Sequence, residues 1–102
     1  MHLVQILLPL YDNAGRPLSR ELYSALARDL TARFGGLTAH TRAPAEGLWR
    51  EGRAETVRDD IVIYEVMTDA VDEGWWRAFR ARLERDFRQD AVVIRAQEVR
   101  LL

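Results

Sequence analysis

Apolar residues fall into blocks along the chain, and their spacing separates helix from strand. Leu3–Leu10 (LVQILLPL) is a nearly continuous apolar run and predicts a first strand. Tyr11–Leu18 follows with Asp12, Asn13, Gly15 and Pro17, the composition of a turn-rich loop. Ser19 is a good N-cap for a helix in which Leu22, Leu26, Leu30 and Phe34 form one amphipathic stripe. Gly35-Gly36 supplies its left-handed stop. Leu37–Arg42 (LTAHTR) alternates and predicts strand two. Ala43–Asp60 carries Pro44, Gly47 and Gly52 and reads as irregular, with short ribbons around Leu48-Trp49-Arg50 and Glu55–Val57. Ile61–Met67 (IVIYEVM) is rich in β-branched residues and gives the clearest strand signal. Asp69 or Asp72 can cap a second helix with a stripe of Trp76, Phe79, Leu83 and Phe87, and Ala91–Val99 forms the last strand.

The order β-α-β-β-α-β is the split βαβ arrangement of ferredoxin-like α+β proteins. Right-handed crossovers then give an antiparallel sheet ordered 4-1-3-2 with both helices on one face, in one domain spanning residues 1–102. Alternation along each strand assigns the two faces. Val4, Ile6, Leu8, Leu37, Ala39, Val62, Tyr64, Val66, Val92, Ile94 and Ala96 face the helices. The opposite face carries Leu3, Leu7, Ile61, Ile63, Met67 and Val93. Left uncovered, these would form a larger apolar patch than monomers usually expose. The pattern therefore predicts a homodimer or higher homo-oligomer joined through the sheet face.

Composition narrows the chemistry. The 102 residues carry 15 basic and 16 acidic groups, for a net charge of −1. Every basic residue except the histidines is arginine, and the chain has neither lysine nor cysteine. Schiff-base chemistry, P-loop phosphate binding, thiol nucleophiles and cysteine-ligated metals are thereby excluded. Near-zero charge argues against a nucleic-acid partner, and no apolar run reaches the roughly 20 residues of a membrane span. With no disulfides and no basic stretch ahead of the first strand, a cytoplasmic location is expected. The two histidines, His2 and His40, show no ligand spacing, so neither a metal nor a cofactor is expected.

The remaining chemistry gathers in the middle of the open face. In a 4-1-3-2 sheet Gln5 lies between Arg95 and Glu65, and His40 lies on the strand next to Glu65; Thr38, Arg42 and Gln97 share that face. A carboxylate beside a histidine and an arginine can do acid–base work on a bound anion. In that reading Glu65 or His40 is the base, and Arg42 or Arg95 clamps a small anionic ligand. The commoner use of such a cluster is structural: polar groups inside an interface pair to fix its register. Trp49 either closes over a pocket or anchors its loop on the core. Trp75 and Trp76, adjacent on the second helix, cannot share a face; both suit packing. The arginines of that helix read as a solvated face with pairs such as Glu84–Arg88.

Phe34-Gly35-Gly36-Leu37-Thr38, Gly47-Leu48-Trp49-Arg50 and Phe87-Arg88-Gln89-Asp90-Ala91-Val92 resemble an F-x-x-G-L-T … G-x-W-R … F-x-Q-x-x-V order, with one residue fewer between Phe34 and Gly36. The order resembles a family of small bacterial proteins with a domain of unknown function and covers roughly the last two-thirds of the chain. Arg58-Asp59 departs from it, standing where that family tends to have Arg-Glu. The resemblance implies the same fold and draws attention to Trp49, Arg50 and Gln89. Two functions stay open: a homo-oligomeric binding or interaction module, and a cofactor-independent enzyme, monooxygenase- or isomerase-like, with a pocket between the sheet and its partner.

Overall fold

The structure, a computed structural model, describes residues 1–51 and 55–102, with side chains described outside 42–59. Its elements run β1 (His2–Pro9), α1 (Arg20–Phe34), β2 (Thr38–Glu51), β3 (Glu55–Thr68), α2 (Glu73–Asp86) and β4 (Val93–Glu98). They form one antiparallel sheet ordered β2-β3-β1-β4, the expected order read from its other edge. The chain is an α+β protein of ferredoxin-like topology.

Local chemistry sets the helix ends. Ser19 Oγ accepts the Glu21 N–H at 3.2 Å, and Gly35 closes α1 in the left-handed region at φ 81°. Of the two candidates, Asp72 caps α2, accepting the Trp75 N–H at 3.1 Å. Between β1 and α1, Asp12 is buried, and its carboxylate accepts the N–H groups of Ala14 and Arg16 at 2.9 Å each. The Arg16 bond leads in holding that carboxyl below its ordinary value, and the Ala14 bond adds to it.

The helix-facing residues form the core: Val4, Ile6, Leu8, Val62, Tyr64, Val66 and Val92 pack against Leu26, Leu30, Trp76, Phe79, Leu83 and Phe87. Leu37 and Ile94 are only partly covered, and Ala39 and Ala96 are exposed because they lie on edge strands beyond the helices' reach. Trp75 is half-buried and stacks on Phe79 at 4.8 Å, with the Arg33 guanidinium 4.1 Å from its ring centre. Arg82 joins the helices through Asp29 at 2.8 Å. The expected Glu84–Arg88 pair gives way to a backbone contact: Glu84 Oε2 accepts the Val92 N–H at 3.0 Å and fixes the approach to β4.

The segment expected to be irregular differs most. β2 and β3 pair from Ala45↔Ile61 to Glu51↔Glu55, so the two short ribbons are opposite sides of one continuous arm. Of the breaker residues, Pro44 falls at a register shift and Gly47 inside the ladder, and neither ends the strand; Gly52 lies outside the described residues. Pairing is interrupted between His40 and Ala45, the stretch that contains Pro44, which has no N–H to donate to a ladder. Gly47 sits within the ladder opposite Asp59.

Candidate functional site

The open face owes its composition to strand alternation. β1 presents Leu3, Gln5 and Leu7, and β3 presents Ile61, Ile63, Glu65 and Met67. β4 adds Val93, Arg95 and Gln97, and β2 adds Thr38 and His40. Met67 is 49 % and Val93 53 % exposed, which is high for large apolar side chains, while Leu3, Leu7, Ile61 and Ile63 are half-covered by their neighbours.

Register brings four of the polar residues into a row across the sheet. Gln5 stands opposite Glu65 on one side and Arg95 on the other, and His40 stands one pair along, opposite Ile63. Arg95 Nε donates to Gln5 Oε1 at 2.8 Å, and Gln5 Nε2 donates to Glu65 Oε1 at 2.7 Å. His40 Nε2 lies 3.3 Å from Glu65 Oε2. The Gln5 amide therefore bridges a guanidinium and a carboxylate, using its acceptor for one and its donor for the other.

Burial grades along this row. The Glu65 side chain is 20 % exposed, His40 is 54 % exposed, and Arg95 is exposed. The Gln5 amide is the main influence holding the Glu65 carboxyl below its ordinary value; burial opposes it, and His40 adds to the lowering. Glu65 is thus held as an anion with both oxygens engaged, a state suited to orienting a neighbour rather than taking up a proton.

Arg42 and Trp49 are not placed with these four. Arg42 falls in the break between His40 and Ala45, and Trp49 pairs with Val57 in the arm; the side chains of both lie outside the described residues, as does that of Arg50. Gln89 has a structural place. Its amide donates to the carbonyls of Tyr11 at 2.8 Å and Phe87 at 3.0 Å, pinning the first loop to the end of α2. His2 opens β1, its Nδ1 enclosed and, among the described residues, without a hydrogen-bond partner. Among the described residues, no group of three or more metal-ligating side chains gathers.

A groove that sequence reasoning missed runs between α2 and the edge strand β4. It encloses about 180 Å³, with Val4, Trp76 and Ile94 among its apolar lining and Arg77 and Arg80 on its rim; it reaches Arg95 but not Glu65 or His40. Nothing in the pattern signals it, because it forms only where α2 packs over the edge strand β4 and Val4 of β1 closes its floor. Among the described residues, no helix is long and apolar enough to cross a membrane.

The fold defines the class: a ferredoxin-like sandwich with one sheet face left open among the described residues. No family model matches the chain, and no curated protein matches it, so the motif order stands as a resemblance. Solved structures do share the architecture. A phage SAM lyase in complex with S-methyl-5'-thioadenosine matches over 95% of this chain and 80% of its own, with a TM-score of 0.63 and 18% identity. The phage SAM lyase in its apo state matches over 94% and 78%, with a TM-score of 0.58 and 14% identity. At these identities the likeness shows the fold.

Proposed function

We propose that the protein is a single-domain, cytoplasmic, homo-oligomeric binding module that buries its open sheet face against further copies of itself. The observation that carries this is the composition of that face. Large apolar side chains flank a hydrogen-bonded row of Gln5, Glu65, His40 and Arg95 at its centre. Apolar flanks supply the drive to associate, and the polar row restricts the register in which two faces can meet. Sedimentation of the wild type at micromolar concentration is expected to show an oligomer. Leu7→Glu, on the open face and away from the helix-side core, is expected to give a folded monomer. A wild type that stays monomeric overturns the reading.

The second reading is a cofactor-independent enzyme acting between sheet and partner on a small ligand that carries an anionic group. The fold shared with a phage SAM lyase, one structure of which holds S-methyl-5'-thioadenosine, favours it over a purely structural row. Here His40 is the base, Glu65 orients it, Arg95 holds the anionic group, and Gln5 fixes both. Incubation with SAM, followed by chromatography, tests this reading. Loss of SAM in the wild type and its persistence with His40→Ala and Glu65→Gln supports the enzyme. No turnover, together with no melting shift from SAM or S-methyl-5'-thioadenosine, leaves the module.

A further inference from the structure

The polar row has a direction, and that direction constrains how copies meet. Arg95 lies on the edge strand β4, and Glu65 lies two strands away on β3, with Gln5 between them. Two strand spacings are roughly 10 Å, too far for the guanidinium and carboxylate to pair directly. Within one chain they communicate only through the Gln5 amide. Arg95 commits its Nε to Gln5, and among the described residues its two Nη groups have no partner. Covering the face by apolar contact alone would strip water from those N–H groups and from an ionised carboxylate, at a cost that rises as the contact dries.

We infer that copies associate with the Arg95 side of one face against the Glu65–His40 side of another, so that Arg95 of the second copy completes the Glu65 site. The inference rests on the oligomeric reading above and specifies its contact. One closed arrangement satisfies it: a face-to-face pair about a two-fold axis parallel to the strands, which lays the β4 of one copy over the β2 of the other. A pair related by an axis across the strands is disfavoured, because it lays β4 on β4 and sets Arg95 against Arg95. Each completed site then holds a carboxylate, an imidazole and the guanidinium of the neighbouring copy.

Charge reversal tests the contact. Arg95 is exposed, so Arg95→Glu leaves the core untouched and is expected to fold as judged by circular dichroism. It sets the introduced carboxylate of one copy against Glu65 of the next, and its association is expected to weaken about tenfold or more. Arg95→Gln is expected to weaken it less. Arg95→Glu combined with Glu65→Arg restores complementarity and is expected to associate within about threefold of the wild type. Should that double variant fail to fold, the cycle is completed with Glu65→Gln, in which Arg95→Glu is expected to cost clearly less than in the wild type. A wild type that assembles while Arg95→Glu assembles equally well overturns the directional contact and leaves the oligomeric reading standing. A wild type that is monomeric throughout overturns both.

Discussion

Gln5 offers a clean perturbation, because one side chain holds both ends of the polar row. Gln5→Met keeps the length and much of the volume of the side chain while removing the bond to Glu65 at 2.7 Å and the bond from Arg95 at 2.8 Å. A hydrogen bond to a charged group is worth about 1.5–3 kcal/mol when protected, and an exposed one contributes far less. The Glu65 bond is partly buried and the Arg95 bond is exposed, so the expected loss is about 1.5 kcal/mol, most of it from the Glu65 side. For a domain of this size that corresponds to a fall in Tm of roughly 6–12 °C. The loss should depend on pH. The folded state holds the Glu65 carboxyl below its ordinary value of 4.5, chiefly through Gln5. Its contribution is therefore present above the unfolded value and lost as the pH falls through the lower folded one. Urea unfolding of the wild type and Gln5→Met should be compared at pH 7 and at acid pH. Protein is kept dilute enough that the midpoint no longer depends on concentration. The gap is expected at pH 7 and should narrow once Glu65 is protonated. A gap under about 0.3 kcal/mol at pH 7, or one unchanged in acid, refutes the reasoning.

Three further outcomes follow from the fold. Leu83→Ala, at a side chain 1 % exposed between α2 and the sheet, is expected to cost about 2–5 kcal/mol in denaturant unfolding. Gly35→Ala places a Cβ at φ 81°; nothing lies within 4 Å of it, so the expected loss of about 1–2 kcal/mol is backbone strain alone, read by thermal melting. Tyr23, which donates to the Pro9 carbonyl, has its phenol pushed up to about 12, mainly by burial. The neutral phenol thus favours the fold fully below pH 10, and that contribution fades as the pH rises toward 12. Tyr23→Phe should narrow the alkaline loss of stability seen in urea titrations between those values.

Much of the architecture is legible in the sequence because short-range rules govern it. The stripes Leu22–Leu26–Leu30–Phe34 and Trp76–Phe79–Leu83–Phe87 commit their segments to helices that need an apolar partner, and Ser19, Gly35 and Asp72 mark their ends. Alternation in β1 and β3 assigns Val4, Ile6, Leu8, Val62, Tyr64 and Val66 to the core, where they are found. Gln5, Glu65, Arg95 and His40 can be grouped from sequence because alternation and strand order together settle which side chains share a face. What resists reading is whatever depends on pairing at a distance. Pro44 and Gly47 look like an interruption, yet the strands continue past them because each finds a partner in the other. Glu84 suits a helix-surface pair with Arg88 but serves the Val92 N–H, since the approach to β4 offers an unmet donor.

Sequence alone determined the element types outside Ala43–Asp60, the two faces of the sheet and the limits of the chemistry. Periodicity and residue type are local properties, and a chain without lysine or cysteine leaves acid–base work to carboxylates, histidine and tyrosine. Tertiary structure decided the register between His40 and Glu65, the length of the β2–β3 arm, and which atoms of Arg95, Gln5 and Glu65 bond to one another across the open face. Hydrogen bonds between strands distant in sequence fix these features, and their partners become neighbours only once the sheet has closed.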